Sequence, residues 1–300
     1  MGTKTTASKT KRRWLTALTA ASIVLGVSEN ASAQEILLTG PLAGAPAVRK
    51  LRLQREGRFE VAPNVSFTLL DEYRRTIFFG LRLNYNFTDW VALGVWGAMG
   101  NDSLFTLNTG LSTRIQDVNE ERLTNPNDPG CQNLNCALTQ VNIGDDFDEQ
   151  LATLDWAASP QITLVPFRGK LALFQSVFLD TDLYFFGGPA FIGVTERESC
   201  APDDADGDCT EKFDQESRVA IAPTFGLGFS FYINKWMALG AEYRAMPFSW
   251  NSPGFDTRGG GQDEQFPDNA ISEADQQFKF NSMLTVSWNF YFPMEYSISE

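Results

Sequence analysis

The sequence predicts an all-β fold, an eight-stranded antiparallel up-and-down transmembrane β-barrel with long extracellular loops. Three observations carry that expectation. Four stretches, 58–69, 76–87, 218–233 and 278–292, alternate apolar and polar residues strictly, and a period of two puts one parity on each face of a strand. The apolar parity is rich in Phe and Leu while the other carries full charges, as in strands that are greasy outside and hydrophilic toward an axis. Tight turns also alternate with long polar tracts, matching the short inner turns and longer outer loops of such barrels.

Residues 1–33 read as a cleaved secretory signal. Lys9, Lys11, Arg12 and Arg13 precede an apolar run from Trp14 to Val27, and Ala31-Ser32-Ala33 forms a small-x-small cleavage site before Gln34. The run is too short for an anchor helix, which needs about 20 apolar residues. Residues 34–56, with Gly40, Pro41, Gly44 and Pro46, read as a periplasmic lead-in, 57–292 as the barrel and 293–300 as a C-terminal tail.

The first strand, 58–69, sets Phe59, Val61, Pro63, Val65, Phe67 and Leu69 against Arg58, Glu60, Ala62, Asn64, Ser66 and Thr68. A short charged loop leads to the second at 76–87. Thr88-Asp89-Trp90 turns tightly into the third, 91–99. A polar tract from about 100 to 155 reads as loop, and the fourth strand falls at 156–166. Phe167-Arg168-Gly169-Lys170 reads as a turn. Leu171, Phe174 and Phe178 fall at helical spacing, so 170–178 is expected to be a short helix at the membrane surface. The fifth strand is placed at 181–194, the sixth at 218–233, the seventh at 237–248 after Asn234-Lys235-Trp236, and the eighth at 278–292.

Residues 85–95 and 231–241 repeat in register, each with a Trp at its turn. Trp90 and Trp236 are therefore expected at the lipid headgroups, with Tyr243, Phe248 and Trp250 in the opposite girdle. Pro63, Pro160, Pro166, Pro189, Pro223 and Pro247 run against the pattern, since each lacks the N–H a ladder needs. Bulges and strand ends outside the hydrocarbon accommodate most of them, but Pro63 sits mid-strand.

Charge and composition exclude several functions. Removing the signal leaves 19 Lys/Arg (24 less 5) and 36 Asp/Glu (37 less 1), a net charge of −17. That sign repels nucleic acid. The chain has no histidine, so hydrolytic sites built on a His general base are unavailable and no enzyme is expected. No cofactor motif is present; Gly259-Gly260-Gly261 lacks the strand–helix context and Lys of a phosphate cradle.

Cys131/Cys136 and Cys200/Cys209 are two close pairs in polar segments. In an exported chain they are expected to be disulfides, with connectivity open between local pairs and pairing across the loops. Asp204, Asp206 and Asp208 alternate as calcium ligands do. However, Cys209 stands where that loop needs Gly, and Gln215 replaces the bidentate Glu. A solvated acidic loop is the stronger reading, and no metal is expected. The inward parity offers Arg58, Glu60, Arg82, Glu242, Arg244 and Lys279, with Asn64, Asn84, Asn281 and Asn289. Opposite charges in this set are expected to pair across a filled lumen, because an eight-stranded barrel holds little besides its own side chains.

Arg55-Glu56-Gly57-Arg58-Phe59-Glu60-Val61-Ala62-Pro63, the segment from Tyr85 to Gly94 and Gly169-Lys170-Leu171-Ala172-Leu173 resemble the outer-membrane β-barrel domain family of myxobacteria and other deltaproteobacteria. The resemblance implies a small barrel similar in build to the OmpA and OmpW transmembrane domains and transfers no functional residues. The chain is thus expected to be integral to a Gram-negative outer membrane, with a structural or surface-recognition role through its acidic loops. The alternative is a narrow channel or transporter for small or apolar solutes. Expected partners are outer-membrane lipid, the barrel-assembly machinery and a surface ligand of unspecified chemistry.

Overall fold

A computed structural model describes residues 55–69, 71–100, 106–124, 147–173, 177–201, 209 and 213–294. The proposed signal, most of the lead-in, Cys131, Cys136, Asp204, Asp206 and Asp208 lie outside them. The strands are β1 (Phe59–Thr68), β2 (Arg74–Asn86), β3 (Val91–Gly100), β4 (Thr106–Asn108), β5 (Thr153–Leu173), β6 (Val177–Arg197), β7 (Gln215–Tyr232), β8 (Met237–Trp250) and β9 (Gln277–Phe292). All pair antiparallel, and β1 pairs with both β2 and β9, so eight strands close into a barrel. The ninth, β4, is a three-residue flap on the outer end of β2.

Parity decides which face each side chain takes. Along β1 the buried residues are Glu60, Ala62, Asn64, Ser66 and Thr68, while Phe59 and Phe67 stand exposed. The outer wall elsewhere is Phe79, Leu81, Leu83, Val95, Ile162, Phe185, Ile221, Phe229, Leu284 and Val286, all exposed. An apolar exterior around a polar interior is the distribution of a barrel that crosses a membrane. No described helix is long and apolar enough to cross one.

The repeated inner turns have a local chemical cause. The Thr88 hydroxyl accepts hydrogen bonds from the backbone N–H of Trp90 and Val91, and the Asn234 side chain accepts from the N–H of Trp236. Both side chains mimic a backbone turn. Trp90 is 62% exposed, and Trp236 stacks on Phe290 with ring centroids 6.0 Å apart. Tyr243, Phe248 and Trp250 do not form an opposite girdle. Tyr243 lies mid-wall, paired with Leu227 and Leu284. Phe248 and Trp250 have the inward parity of Glu242 and are buried.

Two further expectations are corrected. The segment 167–173 is strand, and β6 begins at Val177, so the surface helix and the Phe167–Lys170 turn do not exist; a register shift between Leu164 and Phe167 absorbs Pro166. The helical spacing there is counted across two strands, since Leu171 lies on β5 and Phe178 on β6. Second, the described residues of the 100–155 tract include β4 and two helices, α1 (Gly110–Thr124) and α2 (Phe147–Gln150). Ser112 donates to the Tyr73 carbonyl, and Phe147 packs between Tyr73 and Phe255 over the outer mouth.

The prolines mark where ladders open. The β1–β9 ladder skips Ala62 and Pro63 while β1–β2 runs unbroken through Pro63–Leu81, so the missing N–H faces one neighbour only. The β5–β6 ladder is interrupted between Ala158 and Ile162, beside Pro160 and Pro189. There the backbones approach so closely that a Cβ on Gly188 would fall 2.0 Å from the Pro160 carbonyl oxygen. The β7–β8 ladder stops at Phe225–Ala245, directly below Pro223 and Pro247. Beyond that point β7 pairs only with β6, and β8 only with β9.

Candidate functional site: the barrel interior and its outer rim

The interior is divided along its axis. Toward the inner end it is charged. Arg82 bridges the lumen, with one nitrogen 2.7 Å from Glu60 Oε1 and the other against Glu242 Oε1. Tyr184 donates to the same Glu242 oxygen at 2.7 Å, and Asn84 reaches Glu60 at 3.5 Å. Arg244 lies 3.6 Å from the second Glu242 oxygen and donates to Gln161 Oε1 at 3.0 Å. Its guanidinium is held between Trp96 and Phe186, at 4.1 and 4.2 Å from the ring centroids. Glu60, Arg82, Glu242 and Arg244 are all at least 97% buried. Desolvated charges of this kind persist only when paired and hydrogen-bonded.

A second cluster forms the floor. Arg55 lies 3.2 Å from Asp182, donates to Tyr232 Oη at 2.7 Å and faces the Tyr232 and Tyr291 rings. Tyr232 donates to Asp182 at 2.5 Å. Arg58 donates to the carbonyls of Lys235, Tyr291 and Pro293, tying the start of β1 to the chain's exit. Sequence reasoning placed Arg55 in the lead-in and missed Asp182, Tyr184, Tyr232 and Tyr291. Inward parity was a usable signal for the last four; nothing periodic announces Arg55.

Toward the outer end the interior is apolar. Phe78, Trp96, Ile192, Ala220, Ala222, Met246, Phe248, Trp250 and Met283 pack into one cluster. Polar inward side chains there serve the indoles: Trp96 donates to Asn64, and Trp250 to Asn281. Lys279, expected in the lumen network, is instead at the mouth, with Nζ 3.7 Å from exposed Glu72. β9 begins at Gln277, so Lys279 sits at the outer end of that strand, opposite Phe248 in the ladder.

Where β7 and β8 part, side chains replace the ladder. Arg218 reaches across to the Ser249 carbonyl at 2.8 Å and pairs with Glu196 on β6, and Glu196 accepts the Asn251 N–H. Above this rim Cys200 and Cys209 form a disulfide with Cα atoms 5.3 Å apart. Cys200 also exchanges backbone hydrogen bonds with Ile271, which joins the β6–β7 and β8–β9 loops. In the latter loop Asp256, Asp263 and Asp268 bring carboxylate oxygens within 4.8 Å of one another. Burial and the neighbouring Asp268 and Asp263 charges hold the Asp256 carboxyl above the usual carboxylate range. Burial does the same to Asp275, against the hydrogen bonds it accepts from Thr257 and Ser272.

No protein-family model matches the chain, and no curated protein matches its sequence. Solved structures similar to it are small outer-membrane barrels. The OprG outer membrane protein of Pseudomonas aeruginosa is 12% identical with a TM-score of 0.40, covering 81% of this chain and 99% of that one. The N-terminal β-barrel domain of OprF from the same organism is 10% identical with a TM-score of 0.39, covering 79% and 98%. The attachment invasion locus protein Ail of Yersinia pestis is 10% identical with a TM-score of 0.34, covering 79% and 99%. Closure of the present barrel is a property of its own hydrogen-bond cycle and rests on none of these.

Proposed function

We propose that this chain is an integral protein of a Gram-negative outer membrane, exported by the signal at 1–33 and inserted by the barrel-assembly machinery. Its role is structural or surface-recognising, exercised through the acidic loops at the outer rim. The observation that carries this reading is the Arg82 bridge from Glu60 to Glu242, which ties the adjacent strands β1 and β2 to β8 through the lumen. An eight-stranded barrel has just the width its side chains fill, and here charged groups fill one half and an aromatic-rich cluster the other. The role is non-enzymatic, because the chain has no histidine and the buried carboxylates of Glu60, Asp182 and Glu242 are committed to arginine or tyrosine. Membership of the myxobacterial and deltaproteobacterial barrel family, which the segment around Arg55–Pro63 resembles, belongs to the same proposal.

Single-channel recording of the purified, refolded protein tests it. Silence is expected, and discrete openings overturn the filled lumen. The alternative, a transporter of small or apolar solutes, is favoured by one observation: the wall parts between β7 and β8 beside the apolar half of the interior. Its signature is vesicle uptake of an apolar dye that stops when cysteines at Ala222 and Phe248, on the facing edges, are oxidised together.

A further inference from the structure

One outward row crosses four strands in ladder register as Leu81, Gly97, Ala158 and Phe191. The two small residues sink the wall between two large ones. In the next row toward the outer mouth, Phe79, Met99 and Trp156 stand side by side and close that end. The result is an open groove of about 590 Å³ on the outside of the barrel, lined by Leu81, Phe79, Met99 and Trp156 and floored by Gly97 and Ala158. A Cβ on Gly97 would meet only the Ala157 carbonyl, at 3.9 Å, so space stands open above the floor. The Trp156 indole lies down over Gly193, where a Cβ would fall 2.2 Å from its Nε1.

Arg75 stands above this groove on the outward parity of β2, ahead of Ile77, Phe79 and Leu81. It is exposed, and among the described residues its guanidinium makes no ion pair or hydrogen bond; its electrostatic neighbour is Asp71. Phe79 is four residues below it and Leu81 six, which at a strand rise of about 3.3 Å is roughly 13 to 20 Å. A cation therefore marks the outer edge of the apolar band, with a groove about one acyl chain's reach beneath it. The formal charge of the whole chain is −13, so an outward cation at this depth is not part of a generally basic surface.

We propose that this wall binds a phosphate-bearing, acylated lipid of the outer leaflet, its phosphate on Arg75 and one chain in the Gly97–Ala158 groove. The guanidinium fork matches a phosphate, and the groove gives a hydrocarbon chain contacts on both sides that a flat wall does not. The inference rests on the barrel standing in a bilayer, and its test reads that separately.

The full chain is reconstituted with phosphatidic acid or phosphatidylcholine carrying brominated chains, and the quenching of Trp156 is isolated by difference from Trp156→Phe. Phosphatidic acid is expected to quench Trp156 at a roughly fivefold lower mole fraction, as one interfacial arginine implies. Arg75→Gln should erase that preference, and Gly97→Leu should reduce quenching by both lipids. Equal quenching of the native protein by the two lipids, or a preference that survives Arg75→Gln, overturns the proposal. So does a second copy seated on this wall, seen as a dimer that Gly97→Leu dissociates with quenching unchanged. A heat-modifiable band in SDS on each sample reports the folded barrel independently, and if Gly97→Leu fails that check the Arg75→Gln arm decides alone.

Discussion

Arg82 is the residue on which the interior is organised, since it is the shared partner of two buried carboxylates. Arg82→Ala would strand both in a desolvated lumen, and a loss of about 3–5 kcal/mol is expected. Urea unfolding in vesicles, followed by tryptophan fluorescence, measures it; Glu60→Gln added to that background should restore part of the loss, because the two sites are coupled. At the rim a carboxyl makes stability depend on pH. Asp256 has its carboxyl raised by burial and by Asp268 and Asp263, so the native loop binds a proton more tightly than the unfolded chain. Its unfavourable contribution is complete above the native pKa and is relieved as pH falls through that value toward the ordinary aspartate value of 3.8. Amide exchange in 251–277 should therefore slow as pH is lowered into that range, after correction for intrinsic rates. Asp256→Asn should slow it at neutral pH and flatten the dependence, since its amide oxygen can still accept the Asn269 N–H.

Strands and loops carry different parts of the stability. The prolines that look hostile in sequence cost little because each faces an interruption rather than a continuous ladder, as Pro63 does toward β9 and Pro223 and Pro247 do toward each other. The outer loops are held by a separate device. The Cys200–Cys209 disulfide closes a short loop, and cross-links of this span contribute about 3 kcal/mol in the chain-entropy view. Replacing both cysteines by Ser is expected to speed proteolysis within 198–214 and 251–277, because Cys200 pairs with Ile271, while the barrel keeps its heat-modifiable band. Loss of that band would instead make the disulfide part of the barrel's own folding.

For the whole molecule, the sign of one class of substitution separates a membrane barrel from a soluble one. Leu227 is exposed on the outer face of β7, five residues before the inner end of that strand at Tyr232. On a water-facing wall Leu227→Arg would be harmless. Facing hydrocarbon it should cost roughly 2–4 kcal/mol at mid-depth, read by unfolding in vesicles. A change near zero would sink the membrane assignment. Much of this architecture was legible in the chain: the strict alternation of 58–69, 76–87, 218–233 and 278–292 fixes which side chains face outward, and the Thr88 and Asn234 turns fix two hairpins. The surface helix at 170–178 was misread because Leu171 and Phe178 belong to two strands of a hairpin, and a spacing counted across a strand junction carries no periodicity. The helix at Gly110–Thr124 was missed because it has no continuous apolar stripe; its anchors are polar contacts to Tyr73 and Glu72.

By itself the sequence determined parity, because alternation is a local property with a period of two residues. It could not determine who meets whom across the axis. Arg82 with Glu60 and Glu242, Arg55 on the floor, Arg244 between Trp96 and Phe186, and the parting of β7 from β8 all depend on stagger between strands distant in sequence. That stagger is set only when the sheet closes on itself, so the filled lumen and the groove beneath Arg75 belong to the tertiary structure alone.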